Sequence, residues 1–273
     1  MNVLDARWLQ ICWLCGLLLV GVWWRDFSLY AHQIVATFAA ALTAQYLGMR
    51  WLKNHLQQPA RWQASDFLSG FVTSFGISLL VRADNAWVHP LLAIIAIGSK
   101  FAITLPRADQ PQLRSHVFNP ANLAAVLAGF VLPGAWLSPG QWGQDPRLAA
   151  VFCLLGLLVT WRAKRWDVAL TFIICFATLL WLRISYLGAN PAGLIHQLSN
   201  GSLLLFTFFM ISDPLTTPQH RFARIAFAVC VACAAFAWQY TQFKPNGPVL
   251  ALLIASLAVP LLNRWAKSPR FVW

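Results

Sequence analysis

The chain has 273 residues, 59% of them hydrophobic and only 10% charged, with a mean hydropathy of +0.61. A soluble globular domain carries about 25% charged residues, so this composition excludes that class and points to a polytopic membrane protein. The formal net charge of +12 then has to sit in the loops, where it reads as topology and not as a nucleic-acid-binding face.

Apolar runs bounded by charge, Gly or Pro divide the chain into ten predicted spans, at roughly 8–24, 32–52, 67–82, 87–104, 119–136, 147–161, 167–187, 200–212, 222–241 and 247–263. Arg7 precedes the first run and no small-residue cleavage site follows it, so the first run reads as an uncleaved span. The third and eighth runs hold about a dozen firmly apolar residues, fewer than the roughly 17 of a full span, and are expected to be broken or re-entrant helices covered by their neighbours. The spans leave no room for a separate soluble domain, so a single membrane domain over 1–273 is expected.

Loop charge tests this count. Arg7, Arg50, Lys53, Arg61, Lys100, Arg107, Arg114, Arg162, Lys164, Arg165, Arg221, Arg224, Arg264, Lys267 and Arg270 fall on one side of a ten-span chain. Only Arg25, Arg82, Arg147, Arg183 and Lys244 fall on the other. Positive residues gather on the cytoplasmic side, so both termini are expected there.

Folded in half, at about 1–140 and 141–273, the chain shows a weak internal repeat. The third and eighth spans each end in a polar bend, Val81-Arg82-Ala83-Asp84 and Ile211-Ser212-Asp213-Pro214. The fifth and tenth open on Asn beside Pro, at Asn119-Pro120 and at Pro245-Asn246-Gly247-Pro248. Five spans per half gives the halves opposite orientation, the inverted-repeat plan of transport folds.

Candidate binding residues lie at these ends. Asn119 and Asn122 are three apart and share a helical face, while Pro120 fits the first turn, where its missing N–H costs nothing. A helix start with two carboxamides can hydrogen-bond a flavin's pyrimidine edge, a quinone oxygen or a small solute such as urea; equally, it can be an N-cap that starts a span. Pro214 stops the apolar helix after Ser212, and Asp213 either binds ligand or fixes the turn through Thr216 or Thr217. Lys100 and Asp66 stand at span ends. Of six histidines, scattered without ligand spacing, only His116 adjoins a candidate motif, so no metal site is expected. Tryptophans such as Trp23, Trp24, Trp62, Trp142 and Trp265 read as interfacial anchors. Cys12/Cys15 and Cys230/Cys233 each share a helix face, for which ordinary packing is favoured over a cluster. There is no Walker loop, dinucleotide fingerprint, zincin motif or nucleophile elbow, so no catalytic residue is assigned.

The stretch 66–80, the run from Lys100 to His116-Val117-Phe118-Asn119-Pro120-Ala121, and Phe208 through Pro218 resemble, in order, the membrane subunit family shared by the Na+-translocating NADH:quinone oxidoreductase and the Rnf electron-transport complex. The resemblance implies an all-α integral membrane protein of about ten helices in two inverted five-helix repeats, similar to urea transporters. It also implies bound flavin, electron-carrying partner subunits and, in some members, quinone. Family members usually carry a Ser-Gly-Ala-Thr type sequence whose final Thr is joined to FMN through phosphate. The matching loop here, 132–146, has Ser138 but no Thr, so no covalent FMN is expected and a non-covalent riboflavin or FMN is. The resulting expectation is an inner-membrane electron-transfer subunit whose site uses Lys100, His116, Asn119, Pro120, Asn122, Ser212, Asp213, Thr216 and Thr217. The alternatives are a solute channel or transporter without redox chemistry, and a scaffold that has lost its cofactor.

Overall fold

The computed structural model describes residues 5–25, 27–55, 63–107, 114–138, 146–269 and 271. Arg61, Trp62, Trp142, Arg270 and the 139–145 part of the flavin-type loop, named above, lie outside the described residues. The chain divides into two compact units: 1–104 with 120–138, and 105–119 with 139–273.

The first unit holds α1 (Ala6–Trp23), α2 (Ala31–His55), α3 (Leu68–Leu80), α4 (Val88–Ala102) and α5 (Pro120–Phe130), with two short strands, β1 (Val81–Ala83) and β4 (Ala135–Leu137). Asp5 caps α1, accepting from the Arg7 backbone N–H at 2.9 Å. Small side chains allow close helix packing: Ala41, Ala93, Ala96, Ala124 and Ala128 are all buried with Ile77, Val88, Leu92 and Ile97 in one core. An all-helical unit was expected, but α3 does not end in a simple polar bend. The backbone turns extended at Val81 and β1 pairs antiparallel with β4, Arg82 opposite Trp136. Ser138 donates its N–H to the Leu80 carbonyl (2.7 Å) and Asp84 to Gly134 (2.9 Å). Helix-terminal carbonyls in an apolar environment need partners, and here a strand pair supplies them.

The second unit holds β2 (Thr104–Pro106, whose first residue belongs to the first unit) paired with β3 (Arg114–His116), then α6 (Pro146–Arg162), α7 (Trp166–Tyr186), α8 (Ala192–Leu198), α9 (Gly201–Leu205), α10 (Arg221–Tyr240), α11 (Gly247–Ser256) and α12 (Val259–Trp265). Phe172, Phe176, Phe206, Phe227, Val231 and Ala232 form its core, with the Phe172 and Phe206 rings 4.9 Å apart. Gly247 permits close approach of α11 to α10, since a Cβ there would stand 2.5 Å from the Ala235 carbonyl oxygen. The eighth run is short as expected, and α9 continues into a π-helical turn at Phe206–Met210, where the Ile211 N–H reaches back five residues to Phe206. The tenth run is broken: α11 and α12 meet at 49°. Pro260 lacks the N–H that would bond the Ser256 carbonyl, which makes that break. Helix α8, inside what reads as a loop, has no periodicity long enough to announce it.

Each of the ten apolar runs contains helix among the described residues. By length and hydropathy, three helices among the described residues are able to cross a membrane alone, α1, α7 and α10, with α11–α12 a fourth if the bent pair counts as one span.

Candidate functional site

The site is built on the bend after the π-helical turn, within the second unit. Ser212 donates to the Phe208 carbonyl at 2.5 Å, prolonging the helical hydrogen bonding by one side chain. Asp213 then organises the turn. Its Oδ1 accepts from the Leu215 N–H (3.1 Å), while its Oδ2 accepts from the Thr216 hydroxyl (3.0 Å) and from Asn119 Nδ2 (3.2 Å). The Thr217 hydroxyl donates to the Asp213 carbonyl at 2.9 Å. Asp213 thus fixes the turn through both threonines, and Asn119 joins the same carboxylate from 94 residues away in sequence.

A second layer holds the bend from behind. Arg165, in the short connection between α6 and α7, is 4% exposed. It donates to Thr217 Oγ1 (3.3 Å), the Pro214 carbonyl (3.4 Å) and Gln219 Oε1 (2.9 Å), and its guanidinium lies 5.2 Å from the Phe271 ring centroid. Gln219 Nε2 returns bonds to the Pro214 and Thr217 carbonyls at 2.9 and 3.1 Å, and its backbone N–H donates to Asn263 Oδ1 on α12 at 2.8 Å. Arg224 closes the set, donating to buried Asp167 at 2.7 Å and to the Gln219 carbonyl at 2.7 Å. Burial pushes the Arg165 guanidinium down to about 10; Arg224 adds to the depression, and Asp167 and Asp213 oppose it. It remains a cation at neutral pH.

A cavity of about 480 Å³ opens against this bend. Leu215, Thr216 and Gln219 form one wall, Arg107, Ser115 and His116 of the β2–β3 pair another, and Val259, Asn263 and Lys267 of α12 and its C-terminal extension a third. Its volume lies within the range of small-molecule sites, which run from about 300 to 1,000 Å³ with a mostly apolar lining and a few placed polar groups. Hydroxyl, imidazole, guanidinium and ammonium groups on that lining suit a ligand with carbonyl or phosphoryl oxygens.

Of the residues singled out in the sequence, Thr216 and His116 line the cavity, and Asn119, Asp213 and Thr217 brace the bend beside it. Ser212 is turned back onto its own helix. Pro120, Asn122 and Lys100 belong to the first unit. There, α5 starts at Pro120 as its ring geometry favours, and Lys100 donates to Gln45 Oε1 at 2.9 Å and to the Ser69 hydroxyl. Arg165, Gln219, Asn263 and Lys267 were missed as site residues. Arg165 and Lys267 read as topology charges, and their partners lie too far along the chain for spacing to reveal. Among the described residues no group of three or more His, Cys, Asp or Glu could hold a metal ion.

Apolar helices of spanning length, a broken tenth run and a polar cavity braced at a helix-ending bend define a multi-helix membrane protein. The chain belongs to the NQR2, RnfD, RnfE family, whose model matches residues 134–272, just over half of the chain and most of the cavity lining. It is similar to the D subunit of the ion-translocating oxidoreductase complex of Escherichia coli O17:K52:H18, 30% identical over 138 residues, covering 49% of this chain and 34% of that protein. The same subunits of Escherichia coli strain SE11 and of Shigella boydii serotype 18 are each 30% identical over 148 residues, covering 52% of this chain and 38% of theirs. The matches thus span little more than a third of the length of these relatives.

Proposed function

We propose that this chain is an electron-transfer subunit of an Rnf- or NADH:quinone-oxidoreductase-like complex in a bacterial inner membrane, and that the cavity beside Thr216 holds a non-covalent flavin, riboflavin or FMN, or a quinone. The observation that carries this reading is the cavity itself, whose lining is drawn largely from the segment that matches the family. Thr216 and His116 offer hydrogen bonds to a ring edge, and Arg107 and Lys267 offer positive charge to a reduced, anionic ring or to a phosphate. The Asp213–Asn119 pair and Arg165 keep Thr216 in place, as a site that sets a cofactor's position requires. The bound group would supply the one- or two-electron chemistry; the chain would orient it and tune its potential. The missing Thr in the loop after the fifth run supports non-covalent attachment.

The ten-span inverted repeat with cytoplasmic termini belongs to the same proposal, supported by the loop-charge bias and by helix in every expected run. So do the partner subunits, since the relatives are by name parts of a complex. The test is the visible spectrum of the protein purified in mild detergent. A flavin spectrum near one equivalent, released by acid and depleted in Asn119→Leu at unchanged expression, supports the reading. A colourless preparation that passes a small neutral solute in liposome swelling overturns it in favour of a channel.

A further inference from the structure

The first unit contains a buried cation with unspent hydrogen-bonding capacity. Arg82, on β1, is 2% exposed, and its side chain folds back over the end of α3. There Nη1 donates to the Ser78 carbonyl at 3.0 Å and to the Val81 carbonyl at 2.7 Å, closing the helix C-terminus with positive charge. That uses one edge of the guanidinium. Nε and Nη2, which carry the two parallel N–H groups of the other edge, have no hydrogen-bond partner among the described residues. The Phe27 ring, with its centroid 4.8 Å from Cζ, covers one face of the guanidinium. No carboxylate among the described residues forms an ion pair with Arg82.

Two further polar groups surround the same backbone turn. His89, fully buried on α4, stands 3.2 Å through Nε2 from the Val81 carbonyl that Arg82 also contacts. A carbonyl only accepts, so the proton is on Nε2 and Nδ1 is left as a buried acceptor with no partner. Ser78, also fully buried, has a hydroxyl without a partner, whereas Ser74, one turn earlier, bonds back to the Gly70 carbonyl at 2.9 Å. Buried polar groups are ordinarily satisfied, and a buried charge is ordinarily paired. Four unsatisfied atoms on three residues thus cluster within one turn and its neighbour.

We propose that the Nε–Nη2 edge of Arg82, with the Ser78 hydroxyl as a further donor, binds an oxyanion presenting two oxygens in one plane, a carboxylate or a phosphoryl group. The parallel N–H pair matches that geometry bidentately, which a lysine's point charge does not. The ligand is either a free anion or the headgroup of an anionic phospholipid, and it neutralises the charge that the helix end leaves uncompensated. This site is independent of the cavity in the second unit.

The test uses the full chain purified in detergent, stripped of lipid phosphorus, with equilibrium dialysis against radiolabelled inorganic phosphate and against acetate. A parallel preparation made without stripping is assayed for tightly bound phospholipid. Saturable binding of phosphate or acetate that falls roughly tenfold or more in Arg82→Lys identifies a free-anion site, since loss of charge-assisted bonds has about that effect. Ser78→Ala, which leaves the helix and the guanidinium in place, is expected to weaken binding several-fold and carries the test if Arg82→Lys does not fold. Retained anionic phospholipid that both variants lose identifies the headgroup as the source. The proposal is overturned if neither anion nor phospholipid binds the wild-type chain, or if both variants bind as the wild type does.

Discussion

Arg165→Lys tests whether the bend is held from behind or merely rests there. Lysine keeps the positive charge and most of the stem but has no planar fork, so it replaces at most one of the bonds to Thr217, Pro214 and Gln219. Two charge-assisted bonds are lost. The Pro214 carbonyl keeps Gln219 Nε2 as a donor, so the loss falls short of a full orphaning penalty. At about 1 kcal/mol net for each bond, the bend is loosened by about 2 kcal/mol, or roughly 30-fold in its local opening constant. The readout is hydrogen exchange at the amides the bend protects: Leu215 on Asp213 Oδ1, Thr216 on the Asp213 carbonyl and Gln219 on Asn263 Oδ1. Exchange there should rise by one to two orders of magnitude, with α1 amides unchanged. Unchanged exchange at all three amides in a folded Arg165→Lys protein would refute the account of Arg165 as the brace.

Arg224→Met removes the close partner of Asp167, a carboxylate only 7% exposed, and leaves exposed Arg221 at 4.0 Å as its remaining cation. Breaking a buried pair from one side costs about 3–5 kcal/mol, so a large fall in the thermal midpoint in detergent is expected, and Asp167→Asn added to it should recover part of the loss. Gly247→Ala puts a methyl 2.5 Å from the Ala235 carbonyl and should destabilise by about 1–3 kcal/mol, whereas Gly16→Ala, with nothing within 4 Å, should be neutral or stabilising by up to about 1 kcal/mol. The same thermal assay compares them. The folded-state value of Arg165, about 10, lies below its ordinary value, so the burial cost is fully present below about pH 10 and is relieved only as pH rises above it. Protection factors of Leu215 and Thr216, corrected for intrinsic exchange, should therefore show no contribution from Arg165 titration between pH 6 and 9.

Hydropathy made the helical runs legible because burial in lipid or in a helix core demands the same apolar residues over the same lengths. It also flagged the short third and eighth runs. What ended those runs was not legible. The third ends in a strand pair because Val81 and Arg82 meet Ala135–Leu137, more than fifty residues on, and a three-residue strand carries no periodicity. The eighth ends through a π-helical turn, within which Phe208 seats against Gly156, where a Cβ would fall 2.4 Å from the ring; that contact joins residues about fifty apart. The break between α11 and α12 had a local signal in Pro260, overlooked within a run that hydropathy treats as continuous.

The site divides the same way. Asp213 and the two threonines were readable because Asx and hydroxyl turns are local, satisfied within four residues by their own backbone. Arg165 and Lys267 were read only as topology charges, because a basic residue at a span end has the same sequence appearance whether it faces headgroups or enters a polar network. Burial separates the two roles. Arg165 is 4% exposed with three bonds into the bend, whereas Arg221, equally basic and also at a helix end, is 65% exposed in its side chain. A basic residue counted toward topology can therefore also do structural work, since anchoring at headgroups and entering a polar network both call for a cation at a helix end. That is why the bias of Lys and Arg and the braced bend are compatible readings of the same residues.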